Sequence, residues 1–244
     1  MTEPFEIVGP ARPGRWLVTC DHATNHVPDW VNGGDLGLPP ADMARHIAFD
    51  PGAASVTRHL ADLLDSPAIL SDFSRLVIDP NRGEDDPTLL MKLYDGTIIP
   101  ANRYADEAAR EERLDRLWRP YHAAYSKLAS RRSDTVICAV HSFTPQLRGR
   151  PSRPWEIGVL YAHDTRFAVP FLDACRAMGW CVGDNEPYAG HLPGDAVDQH
   201  ALAHGRPNVL IELRQDLIAD EAGQALWAER LAPILEQTLA RSSL

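Results

Sequence analysis

The sequence predicts an α/β domain in which a mostly parallel or mixed sheet is covered by helices on both faces. Short apolar runs recur along the chain, and stretches with apolar residues three and four apart separate them. That alternation is the pattern of strands buried on both faces and crossed over by helices. A further observation bears on function, because three of the runs end on a residue able to do chemistry. Trp16–Cys20 runs into Asp21–His22, Thr135–Val140 into His141, and Val209–Ile211 into Glu212. In open α/β sheets, ligands bind beyond the carboxyl ends of the strands.

Taken in order, residues 16–20 read as a strand and 21–40 as a Gly- and Pro-punctuated loop. Residues 42–64 read as a helix, with Leu60, Leu63 and Leu64 on one face and a break at Pro51. Strands are expected at 68–71 and 75–78, the second ending in Asp79–Pro80–Asn81–Arg82. Residues 83–104 are loop-rich, suited to a lid or an edge hairpin. The helix 105–132 carries Leu114, Leu117, Trp118, Tyr121, Tyr125 and Leu128 at helical spacing. Pro120 should kink or divide it. Then follow strand 135–140, a loop with Arg148, Arg150 and Arg153, strand 157–161, helix 165–178, a short strand near 180–182 and a loop over 183–207. Strand 208–213 and helix 221–240 close the pattern. With no repeat or linker, one domain over 1–244 is expected.

A formal charge of −10 argues against nucleic acid as a partner, although local arginines can still reverse the field inside a pocket. No apolar run approaches the roughly 20 residues that span a bilayer, and Met1–Gly14 shows no secretory signal. Cys20, Cys138, Cys175 and Cys181 form no CxxC pair and read as reduced thiols of a cytoplasmic protein.

His22 and His141 each follow a buried run and precede a loop, which suits a metal. A catalytic zinc takes three protein ligands and water. For the third ligand Asp50 is narrowly preferred, with Asn25 and His26, three and four residues past His22, as alternatives. A glutamate at a buried strand end is expensive to desolvate unless paired or functional, so Glu212 reads as a general base or as the partner of an arginine. Asn81 and Arg82 offer a fork of donors suited to a carboxylate, with Arg75 and Arg214 as further charge. Tyr188, in the polar loop 183–188, is a candidate donor to an oxyanion.

Six segments, Cys20–Asn25, His46–Ala53, Ser74–Arg82, His141–Pro145, Asp184–Tyr188 and Ile211–Leu217, occur in the order found in the N-formylglutamate amidohydrolase family, which the chain resembles. The resemblance implies a three-layer αβα sandwich similar to the zinc carboxypeptidases and hydrolysis of a small N-acyl amino acid such as N-formyl-L-glutamate. It further implies zinc as cofactor, the Asn81–Arg82 pair on the substrate carboxylate and Glu212 as base. In those peptidases a glutamate ligand follows the first histidine. Here Asn25 holds that place, so the third ligand comes from elsewhere. The rival readings are a zinc carboxypeptidase or peptidoglycan-type amidase, and a non-catalytic module that binds an N-acylated metabolite.

Overall fold

A computed structural model describes residues 3–244. Its strands are β1 (Phe5–Val8), β2 (Trp16–Cys20), β3 (Ala68–Ser71), β4 (Leu93–Tyr94), β5 (Thr97–Ile98), β6 (Val136–Phe143), β7 (Ile157–Leu160), β8 (Val182–Asp184) and β9 (Asn208–Arg214). Its helices are α1 (Pro40–Met43), α2 (Ala53–Leu63), α3 (Pro100–Arg103), α4 (Glu107–Arg113), α5 (Arg119–Ala129), α6 (Ala168–Ala177), α7 (Ala196–His200) and α8 (Glu221–Arg241). Seven strands form one sheet in the order β1-β3-β2-β6-β9-β7-β8, while β4 and β5 make a separate hairpin. The central four, β3, β2, β6 and β9, run parallel; β1 and β7 pair antiparallel at either side of them.

Alternate residues of a strand point to opposite faces, and the core divides accordingly. Val18, Cys138, Val140, Val209 and Ile211 pack with residues of α2, α6 and α8. Leu17, Ile69, Ile137, Ala139 and Leu210 pack instead with Leu114, Trp118, Tyr121 and Tyr125. The mixed α/β class read from the sequence is the class observed.

Several element boundaries differ from expectation. The helix expected over 42–64 is two helices, because the chain turns through Arg45–Gly52 before α2 begins. Gly52 makes that turn possible: it sits at φ +83°, and a Cβ there would meet the Ile218 carbonyl at 2.4 Å. Residues 75–78 are a buried turn, not a strand; Leu76, Val77 and Ile78 fill the core without joining the sheet. Pro120 lies in the first turn of α5, where no N–H is required. The helical rod is instead loosened just before it, as a π-helical turn over Leu114–Trp118. The loop expected over 183–207 contains α7, capped by the Asp195 carboxylate accepting from Asp198 N–H. Finally, β6 continues to Phe143 and β9 to Arg214, so His141 and Glu212 lie within their strands, short of the ends.

Candidate metal centre and active site

The parallel strands bring the chemistry-bearing residues to one edge. Asp21 and His22 follow β2 directly, and on β6 and β9 His141 and Glu212 are register partners. Asp50 reaches the same place from the turn before α2, where its own N–H donates to the His22 carbonyl at 2.9 Å. Potential ligand atoms of His22, Asp50 and His141 lie within 4.8 Å of one another. Asp50 Oδ2 stands 3.3 Å from His22 Nδ1 and 2.9 Å from His141 Nδ1. All three residues are at most 3% exposed.

Each imidazole has a second carboxylate behind it. His22 Nε2 meets Asp79 Oδ1 at 2.7 Å, and His141 Nε2 faces Asp21 Oδ2 at 3.4 Å. Those carboxylates are themselves held. Tyr121 donates its hydroxyl to Asp21 at 2.6 Å, while Arg75 and the Asn81 N–H each donate to Asp79 at 2.9 Å. A carboxylate behind each ring fixes the tautomer and presents the other nitrogen's lone pair to an ion. The charge balance agrees. Asp21, Asp50 and Asp79 are buried, with Arg75 as the one buried guanidinium paired to two of them, at 3.5 Å from Asp50 and 2.9 Å from Asp79. With neutral imidazoles, two negative charges remain to be met, as a divalent cation would. Two imidazoles and a carboxylate form a donor set that suits zinc.

Burial opposes charge on the buried carboxylates, and positive neighbours overcome it at Asp50 and Asp79 but not at Glu212. Burial alone would raise Asp50 and Asp79; His22 and His141 hold the first well below the usual carboxylate range, and Arg75 with His22 the second. Burial pushes Glu212 up to about 8 against the pull of His141. Its Oε2 is buried with no hydrogen-bond partner among the described residues. Burial likewise raises Asp195, on the cavity wall, to about 6 and lowers His46.

The site opens into a cavity of about 260 Å³ lined by His22, Asp50, His141, Glu212 and, around them, His46, Arg75, Asn81, Arg82, Tyr94 and Tyr188. Gly158, register partner of Glu212, lets the 185–188 loop close over the sheet: a Cβ there would lie 2.2 Å from the Glu186 carbonyl. Asn81 and Arg82 are held from behind. Trp118 Nε1–H donates to the Arg82 carbonyl at 3.0 Å, the His122 ring meets the Pro80 carbonyl at 3.0 Å, and Asn81 Oδ1 accepts from Ala196 N–H at 3.2 Å.

The remaining candidates stand elsewhere. Asn25 is exposed and donates to the Met43 carbonyl, and His26 is turned to the Asp72 carbonyl. Neither lines the cavity. Arg214 is engaged by Asp216 at 2.7 Å and by the carbonyls of Pro154 and Trp155, so its charge is used outside the cavity. Arg75 lines the cavity but is tied to Asp50 and Asp79. Sequence reading missed the supporting pair Asp21 and Asp79, whose one signal was a carboxylate set beside a buried apolar run. Asp79→Asn, which removes the anion behind His22, lowers metal affinity about 10–100-fold. Competition with a chromophoric chelator checks it; an unchanged affinity would deny Asp79 the role.

The profile of the N-formylglutamate amidohydrolase family matches residues 14–219. The chain belongs to the N-formylglutamate amidohydrolase family. No curated protein matches it. Among solved structures, gene product Atu2144 of Agrobacterium tumefaciens is 34% identical to this family member, with TM-score 0.92 over 98% of this chain and 96% of that one. The N-formylglutamate amidohydrolase of Ralstonia eutropha JMP134 is 21% identical, with TM-score 0.65 over 98% of both chains. A bacteriophage poly-gamma-glutamate hydrolase shares the fold at 11% identity, with TM-score 0.50 over 98% of this chain and 90% of that one.

Proposed function

We propose that this amidohydrolase family member is metal-dependent and cleaves the N-formyl or a similar N-acyl amide of an acidic amino acid such as N-formyl-L-glutamate, acting as one domain over residues 1–244, of which Met1 and Thr2 lie outside the described residues. The observation that carries the reading is the convergence of His22, Asp50 and His141 beside Glu212 on one cavity wall. These three residues would hold zinc, which supplies Lewis-acid polarisation of the acyl carbonyl and acidifies water. Glu212 takes a proton from the attacking water as its oxygen bonds to the acyl carbon. It then delivers that proton to the amide nitrogen as the C–N bond breaks, releasing formate and the free amino acid.

Asn81 and Arg82 bind the α-carboxylate. Arg82 Nη1 and Nε are occupied by the Asn81 carbonyl and Thr88 Oγ1, and no carboxylate among the described residues competes for the guanidinium. Tyr188 accepts from Arg153 at 3.2 Å, which leaves its own O–H to donate to the oxyanion. A cavity of about 260 Å³ falls below the roughly 300–1,000 Å³ of drug-sized sites and favours a single small amino acid over a peptide in an open groove.

Incubating zinc-loaded protein with N-formyl-L-glutamate releases formate, and a chelator abolishes the release. Absence of turnover across a panel of N-acyl amino acids by metal-loaded protein would sink the proposal, and absence of stoichiometric metal would favour the binding-module reading.

A further inference from the structure

Two arginines line the cavity and a third is bonded to its wall, and they are not equivalent. Arg75 is consumed by its ion pairs with Asp79 and Asp50. Arg82 has no carboxylate partner among the described residues and is already given the α-carboxylate. Arg153 is the third. It lies on the loop between β6 and β7, and among the described residues its side chain's only hydrogen bonds run from Nη1, to the Thr144 carbonyl at 3.1 Å and to Tyr188 Oη at 3.2 Å. Its guanidinium stands 5.0 Å from the ring centroid of Tyr188 and 5.7 Å from that of Phe143. Thr144 and Tyr188 both line the cavity. Among the described residues no carboxylate pairs with Arg153, and its Nε and Nη2 have no partner.

In a chain with 34 acidic and 24 basic side chains, an unpaired guanidinium braced against two aromatic rings, one of them on the cavity wall, calls for an anionic ligand. Arg82 and Arg153 stand over different parts of that site. Arg82 is anchored by the Asn81 carbonyl and Thr88 Oγ1, whereas Arg153 is anchored by the Thr144 carbonyl and Tyr188 Oη. Two separated, unpaired guanidiniums match a substrate with two separated carboxylates.

We propose that Arg153 is the specificity-determining residue that reads the side-chain carboxylate of the substrate, selecting a dicarboxylic N-acyl amino acid over its neutral counterpart. This rests on the amidohydrolase reading above, so its test includes binding as well as turnover. N-formyl-L-glutamate and N-formyl-L-glutamine have the same shape and differ in that one charge. Their affinities are measured by calorimetry on the full chain, and kcat/KM on the zinc-loaded protein, for the wild type, Arg153→Met and Arg153→Lys. The wild type prefers the glutamate compound. Arg153→Met, which keeps an unbranched stem but removes the guanidinium, loses the glutamate compound about 10–100-fold more than the glutamine one. Arg153→Lys restores part of the preference, since it returns the charge without the planar fork. Equal losses for both compounds, an unaltered preference, or no binding of either by the wild type would overturn the assignment. A binding preference that depends on Arg153 without formate release from either compound upholds it and removes the hydrolytic reading instead.

Discussion

Glu212→Gln lowers kcat about 10²–10⁴-fold while the protein keeps its metal. The substitution preserves shape, and Glu212 is not among the converging ligand atoms of His22, Asp50 and His141, so a metal held by those three would stay. What is lost is a basic oxygen: Glu212 Oε2 is buried, unpartnered and on the cavity wall, and an amide cannot accept a proton there. The pH profile supplies an independent readout. A general base works deprotonated, so wild-type kcat/KM rises with pH and falls as pH drops through the Glu212 value. Burial sets that value at up to about 8, and a cation beside the carboxylate moves it lower. In Glu212→Gln this acidic limb disappears. Steady-state kinetics and metal analysis on the same preparation decide the matter; wild-type kcat in the variant would remove Glu212 from the chemistry.

Zinc in excess stabilises the wild-type fold by about 3–4 kcal/mol when free metal is 100–1,000 times its dissociation constant, and His141→Ala loses that increment. The stabilisation arises by linkage. The unfolded chain scatters His22, Asp50 and His141 over more than a hundred residues of sequence, so the metal binds the folded state by preference. Ligating imidazoles must be unprotonated, so binding releases protons and weakens as pH falls. In the metal-free site burial opposes a proton on His141, yet Asp21 and Asp50 raise its affinity for one well above normal, which strengthens that dependence. Chemical denaturation with zinc and with chelator measures the increment. Equal zinc stabilisation of wild type and His141→Ala would show that the ion binds elsewhere.

The parts of this molecule that could be read from sequence are those in which one local signal implies one outcome. His22, His141 and Glu212 stood out because a polar residue within or directly after a buried parallel strand has few reasons to be there. Asp50 was weaker because its position depends on a chain reversal at Pro51–Gly52 that periodicity does not encode. Asn25 and His26 are near His22 in sequence, but the loop takes them to Met43 and Asp72. Arg214 sits two residues from Glu212, yet Asp216, two residues further on, captures it. Leu76–Ile78 imitated a strand because a buried turn requires the same apolar residues. The roles of Asp21 and Asp79 could not be read, since a carboxylate that orients a histidine across the fold leaves no spacing in the chain.

The π-helical turn at Leu114–Trp118 has a consequence for how this site tolerates change in chain length. A π turn holds one residue more than the α-helix around it, and a single residue rotates everything beyond it by about 100°. Trp118 and, a turn later, His122 are the side chains that reach the Arg82 and Pro80 carbonyls. The extra residue therefore acts as a phase adjuster, aiming both at the Pro80–Arg82 turn. Deleting one residue from this segment would swing the two away together, while His22, Asp50 and His141, carried by other elements, kept their places. Insertions and deletions in this one helical rod can thus shift the Pro80–Arg82 turn while the cluster of His22, Asp50 and His141 stays in place.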